Sequence, residues 1–291
     1  SMTPDEYCQE KAAKSGSSFY YSFLFLPPEQ RKAITALYAF CREVDDIVDE
    51  CSDPQIARVK LQWWRDTIRE TVNGTPQHPV QKALVIPIQN FKLPLELLLE
   101  IIDGMEMDLD KNRYATYDEL SMYCYRAASV VGLLAARIFG YRDPAVLDYA
   151  KNLGMAFQLT NILRDVKEDA ARNRIYIPQQ ELKQFGVSEA DIIEHRFSHN
   201  MASLLKFQSD RAHDYYQKAF EHLPEQDRYT QRSGLIMAAI YLNTLQEIEK
   251  DNYRVLEGRI SLTPIKKLWL AWKTARSEKK RHKKYLQTCR T

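Results

Sequence analysis

The chain has 291 residues, of which 45% are hydrophobic and 27% charged, too apolar for a disordered polymer and long enough to bury a sizeable core. Lys and Arg number 41 against 39 Asp and Glu, and the resulting formal charge of +2 argues against a main role in coating nucleic-acid phosphates, so no nucleic acid is expected as a partner. Nine glycines with neither G-x-G-x-x-G nor G-x-x-x-x-G-K-[ST] argue against a Rossmann site or a P-loop, and five scattered cysteines without C-x-x-C read as reduced thiols holding neither disulfide nor zinc.

In chain order, Ser1 ahead of Met2 reads as a cloning remnant, with no basic-then-apolar leader after it, and the expected location is cytoplasmic. No apolar run is read as approaching the ~20 residues of a membrane span. Pro27-Pro28, Pro54, Pro76, Pro79, Pro87, Pro94, Pro144, Pro178, Pro224 and Pro264 read as boundaries between roughly ten helical pieces. Within the pieces apolar residues recur at helical spacing, as in Ile34, Leu37, Tyr38, Cys41, Val44 and Val48, or Leu235, Ile236, Ala239, Leu242, Leu245 and Ile248. Asp53, Asp143 and the pair Ser188 and Asp191 read as helix caps. No strand alternation, linker or fixed-length repeat stands out, so the expectation is one all-α domain over residues 1–291.

Chemistry is carried by two acidic clusters. Asp45 and Asp49 lie one helical turn apart in Asp45-Asp46-Ile47-Val48-Asp49, where like charges destabilise a helix by a few tenths of a kcal/mol per pair unless a cation sits between them. Mg²⁺ takes oxygen ligands and is commonly held by one or two carboxylates together with substrate phosphates. Alone, the cluster reads equally well as a solvated acidic face. The second cluster repeats the spacing at Asp165 and Asp169, and Gln158, Asn161 and Asp165 share one helical stripe among apolar neighbours. Such a stripe is expensive to bury without metal or phosphate partners. Two such helices facing one another would hold Mg²⁺ ions that grip a diphosphate leaving group. Arg172, Arg174 and Tyr176 could supply forked donors to diphosphate oxygens, or stand as ordinary surface residues at a helix end. The small residues from Ala127 to Ala136 either let helices pack closely or leave room for a long apolar ligand. Finally, Lys and Arg crowd around Leu268, Trp269, Leu270 and Trp272 in a helix expected over about residues 262–288. It reads either as a solvated last helix or as a basic amphipathic helix on an anionic membrane, the latter giving a peripheral location at the inner membrane surface.

The sequence resembles the squalene and phytoene synthases, the head-to-head isoprenoid synthases. The likeness is carried by Ser15 to Phe23, Ala33 to Asp49, Tyr123-Cys124-Tyr125 followed by Val131-Gly132, and Gln158 to Asp169 running into Arg174-Ile175-Tyr176-Ile177-Pro178. The stretches Gly16 to Phe23 and Ile102 to Asp108 look most like the presqualene diphosphate synthases of bacterial hopanoid synthesis. The usual V-A-G-x-V-G after the tyrosine is here Ala127-Ala128-Ser129-Val130-Val131-Gly132.

This resemblance implies an isoprenoid-synthase-type helical bundle with a central apolar cavity. It implies a prenyltransferase that condenses two farnesyl diphosphates to presqualene diphosphate with Mg²⁺, NADPH not being expected. Asp45, Asp49, Asn161, Asp165 and Asp169 would be the metal ligands, and Gln158 would line the same site. Ser18, Tyr38, Arg42, Arg164, Tyr241 and Arg259 match residues that contact or support diphosphates, and Tyr123 matches a tyrosine that assists proton removal or steadies a cation. The alternatives are a phytoene synthase using geranylgeranyl diphosphate and a squalene synthase that completes the reduction. A terpene cyclase fits less well, since its second motif is an Asn/Ser/Glu pattern. A non-enzymatic helical scaffold docking on a membrane or a protein is the remaining reading.

Overall fold

Proline at the first position starts several of the helices, where its missing N–H leaves no bond unmade. The computed structural model describes residues 1–290; Thr291, the last residue of the expected domain, lies outside the described residues. The helices are α1 (Pro4–Lys14), α2 (Ser18–Ser22), α3 (Pro28–Glu50), α4 (Pro54–Glu70), α5 (Pro79–Asn90), α6 (Leu95–Asp110), α7 (Tyr117–Cys124), α8 (Val130–Phe139), α9 (Ala145–Arg164), α10 (Val166–Ala171), α11 (Gln179–Gln184), α12 (Glu189–Ile193), α13 (His199–Glu221), α14 (Arg232–Lys250) and α15 (Pro264–Cys289). Among the described residues no strand forms, and Arg113 and Ile175 make one isolated parallel bridge. The fold is all-α, as the periodicity predicts.

The expected caps form. The Asp53 carboxylate accepts from the Gln55 amide, that of Asp143 accepts from Ala145, and Ser188 and Asp191 cap α12 reciprocally. Among the described residues, six breaks involve no proline and so escape a proline-based division, among them the one where α9 gives way to α10 at Asp165 and the π turn at Tyr125–Ser129 that joins α7 to α8. Pro87 is no boundary. It lies buried inside α5, which continues through it because His78 and Gln81 close the helix start reciprocally and Val80, Leu84 and Ile88 bury the same side.

The core has two main parts. One gathers α1, α3 to α6 and α8 around Ile34, Leu37, Phe40 and Leu98; the other gathers α7, α9, α13 and α14 around Tyr149, Leu163, Leu204 and Leu245. Phe19, Tyr125 and Ala127 pack against both. Helix α9 buries twelve of its twenty residues and leaves Asp148 and Lys151 exposed. The continuous helical run Tyr117–Phe139, spanning α7, the π turn and α8, contains an 18-residue stretch with a mean hydropathy of 1.2 and does reach the length and apolar character of a membrane span, contrary to the sequence reading. Here its buried half packs into the core, because its small residues suit close helix contact.

Those contacts explain two glycines. A Cβ at Gly154 of α9 would stand 2.6 Å from the Ser129 Cα, and one at Gly104 of α6 would stand 2.8 Å from the Arg126 Cβ. The π turn is thus clamped between α6 and α9. Overpacking a rigid backbone contact typically costs about 1–3 kcal/mol. Gly154→Ala is therefore expected to lower the unfolding free energy by that amount, read as a lower urea midpoint at an unchanged slope, and an unaltered midpoint would contradict the clamp.

Candidate active site

The polar cleft is built where three helices end. The last turns of α3 carry Arg42, Asp45 and Asp49, the end of α6 carries Asp108, and the junction of α9 and α10 carries Asn161, Arg164, Asp165, Glu168 and Asp169. Both acidic motifs thus face one cleft, together with Arg172, Arg174, Tyr123, Tyr176 and Arg259. Six carboxylates meet five guanidiniums there. Each motif is held by arginines in this state. Arg42 lies 2.6 Å from Asp45 and donates to Asp46 at 3.0 Å. Arg174 donates to Asp49 at 3.3 Å, with Arg172 at 3.2 Å from the same oxygen. Arg164 grips Asp165 with two bonds of 2.7 and 2.9 Å, and Arg259 stands 3.4 Å from that carboxylate.

Compensation is incomplete. Burial, reinforced by Asp49 and Asp108 and opposed by Arg42, pushes the Asp45 carboxyl up to about 7. Burial and the neighbouring Asp165 and Asp108 push Asp169 to about 7 as well. The buried oxygens Asn161 Oδ1 and Glu168 Oε2 have no hydrogen-bond partner. An all-oxygen donor set with orphaned acceptors and crowded carboxylates suits a hard divalent cation. Among the described residues, however, no three His, Cys, Asp or Glu side chains gather closely enough to hold a metal alone, so a cation here needs substrate oxygens to complete its shell.

Asp108 was not singled out from sequence. It accepts from Tyr123 at 3.0 Å and from Tyr176 at 2.6 Å, and those two rings stack with centroids 5.2 Å apart. Burial, followed by the Asp108 charge, raises the Tyr123 hydroxyl well above its usual value. Tyr123 is therefore held neutral and donating, which suits an electron-rich face better than a base. The signal that could have found Asp108 is its register: it follows Leu98, Ile101 and Met105 on the buried stripe of α6, where a carboxylate is expensive without partners.

An apolar cavity opens from the cleft, with Cys41, Arg42, Ala127, Gln158 and Asn161 lining both. Tyr38 and Tyr241 face this cavity, with Phe19 stacked on Tyr38 at 5.4 Å and Phe157 4.9 Å from Tyr241. The small-residue stretch from Ala127 to Ala136 serves both expected purposes. Ala128, Val131 and Ala135 line the cavity, while a Cβ at Gly132 would approach the Ala150 carbonyl at 2.7 Å. Ser18 is buried at the start of α2 and lines neither space; its neighbour Ser17 lines the cavity instead.

An all-α bundle with two carboxylate helices over a central apolar cavity defines the isoprenoid-synthase class. The solved structure of a dehydrosqualene synthase in complex with ligand superposes with a TM-score of 0.84 at 27% identity, covering 98% of this chain and 97% of that one. Squalene synthase HpnC from Alicyclobacillus acidocaldarius superposes at 0.77 with 28% identity, over 86% of this chain and 94% of its own. The family model for squalene/phytoene synthase matches residues 12–266. A 15-cis-phytoene synthase of Synechocystis is 35% identical over 282 residues, 92% of this chain and 84% of the relative, and phytoene synthase 1 of Solanum lycopersicum is 35% identical over 267, 90% and 65%. The chain belongs to the squalene/phytoene synthase family, whose members are prenyltransferases.

The raised carboxyls give a test with a definite sign. Asp169 has a folded pKa of about 7 against an ordinary unfolded value near 4, so the folded state holds its proton through that window and loses relative stability as pH rises across it. An Asn there cannot ionise. In EDTA, the melting temperature of Asp169→Asn minus that of the parent should grow from pH 4.5 to pH 8, and a constant difference would contradict the assignment.

Proposed function

We propose that the chain joins two molecules of farnesyl diphosphate head to head, giving presqualene diphosphate. The observation that carries this reading is the pairing of a polar, carboxylate-lined cleft with an apolar cavity long enough to hold a farnesyl chain. Along α9 the cavity runs from Asn161 back to Tyr149, twelve residues or about 18 Å at the helical rise. Its lining also includes Phe139 and Gln231, whose amide bridges the Ala136 and Gly140 carbonyls. At tetrahedral carbon geometry the twelve-carbon main chain of a farnesyl group extends about 14 Å, and the sixteen-carbon geranylgeranyl chain about 19 Å.

In this reading the diphosphates lie in the cleft and the isoprenoid chains in the cavity. Asp45, Asp49, Asn161, Asp165 and Asp169 would hold Mg²⁺. Bound there, it would supply the positive charge that makes diphosphate a good leaving group. The arginines now paired with Asp45, Asp49 and Asp165 are freed to donate forked bonds to diphosphate oxygens. Loss of diphosphate from the first substrate leaves an allylic cation, which the 2,3-double bond of the second attacks. A proton then leaves the second substrate as the cyclopropane closes, and the released diphosphate can accept it. The chain's own part is to keep water out and to surround the cation with ring faces at Phe19, Tyr38, Phe157 and Tyr241. Tyr123, held as a donor by Asp108, presents its ring to the same end.

A second reading, phytoene synthesis from geranylgeranyl diphosphate, is favoured by relatedness, which weighs more for it than for the farnesyl reading: the curated relatives at 34–35% identity, including those of two cyanobacteria, are phytoene synthases. The decisive experiment offers each substrate with Mg²⁺, with and without NADPH, and identifies products by mass spectrometry. Presqualene diphosphate from farnesyl diphosphate in both tubes is expected. Preferred turnover of geranylgeranyl diphosphate would transfer the assignment to the phytoene reading, and squalene formed only with NADPH would make the protein a reductive synthase. Asp49→Ala and Asp165→Ala should each abolish turnover with helicity retained; activity surviving in both would overturn the metal and diphosphate assignment.

A further inference from the structure

Helix α15 carries an unpartnered face whose character changes along its length. Its buried side is short: Leu270 and Ala271 pack beside Ile236 and Ile240 of α14, and Glu278 is gripped by Arg228 through two bonds of 2.8 and 3.0 Å. On the opposite face, Ile265, Leu268, Trp269 and Trp272 follow one another at i, i+3, i+4 and i+7 and are between 46% and 80% exposed. The same stripe continues at i+11, i+14, i+15 and i+18 as Arg276, Lys279, Lys280 and Lys283, all exposed. Glu278 is the single acidic residue of α15, and it points inward. Lys273 stands 4.8 Å over the Trp269 ring and Arg276 5.3 Å over that of Trp272, so the cations lie close against the rings when the face meets water.

Four large apolar side chains in one exposed stripe, two of them tryptophan, followed by a basic stripe, match the layers of a bilayer surface: acyl boundary, then headgroups. The position is informative as well. Helix α15 packs against α2 and α14, which carry Phe19 and Tyr241 of the cavity, and it begins five residues after Arg259 of the cleft.

We propose that this face of α15 docks the protein on an anionic lipid bilayer. The charge favours this occupant over a second copy of the chain, because such a face offers no acidic partner for another copy's basic stripe, Glu278 being buried. Docking sets the cleft and cavity beside the membrane.

The test uses the full chain and a readout independent of any reaction. Unilamellar vesicles of phosphatidylcholine, with or without phosphatidylglycerol, are sedimented with the protein in 0.1 M and 0.5 M NaCl, and tryptophan emission is recorded. Binding to the anionic vesicles, a blue-shifted emission and weakening at high salt are expected. The double variant Trp269→Ser, Trp272→Ser should bind about tenfold more weakly or less, and Lys279→Gln with Lys283→Gln should lose the preference for anionic lipid. Both should keep the parent's circular dichroism, since all four side chains are exposed. Equal binding by parent and tryptophan variant, no binding to anionic vesicles, or a dimer in light scattering that the tryptophan variant dissociates would each overturn the proposal.

Discussion

Carboxylates at the mouth of an apolar cavity are the constraint on which the rest depends. Asp45, Asp108 and Asp169 are all pushed toward their neutral forms, chiefly by burial and then by neighbouring carboxylates, Asp49 for the first two and Asp165 for the third. A fold that only had to be stable would not place them so. Arginine forks on Asp45, Asp49 and Asp165 and two tyrosine hydroxyls on Asp108 make the arrangement tolerable without ligand. The buried oxygens of Asn161 and Glu168 remain unpaired. A site strained in this way is poised to exchange internal arginine contacts for a cation and a diphosphate, since both exchanges relieve the same crowding.

The helical framework serves that exchange by being rigid where the motifs emerge. Helix α9 buries twelve of its residues between Val146 and Leu163, and its contact with the π turn at Gly154 leaves no room for a methyl group. The α9 to α10 break falls at Asp165, so the second motif is split across a helix end, and the Arg164 fork spans the break. The cavity lies along the seam of the two main core clusters.

Legibility in the sequence followed spacing. Asp45 with Asp49, and Gln158 with Asn161, Asp165 and Asp169, could be read because a polar stripe inside an apolar helix has no structural use. The structure places them along one cleft. Asp108 went unread because it stands alone on its stripe, and its tyrosine partners come from positions 15 and 68 residues away. The π turn was equally invisible, since nothing in Tyr125 to Ser129 marks an extra residue in the turn. Pro87 misled in the other direction, because the reciprocal cap and buried face that carry α5 through it are properties of the surrounding structure. The amphipathic character of α15 was readable, yet which of its faces stays open depended on where α14 and Arg228 meet it.

Manganese(II) titration followed by electron paramagnetic resonance, with and without inorganic diphosphate, tests the central claim most directly. With no three acidic or imidazole side chains gathered among the described residues, the ion alone should bind weakly. Diphosphate should tighten it by roughly tenfold or more by completing the oxygen shell, and Asp45→Asn or Asp165→Asn should remove that gain. Tight binding without diphosphate, or an undiminished gain in both variants, would contradict the account.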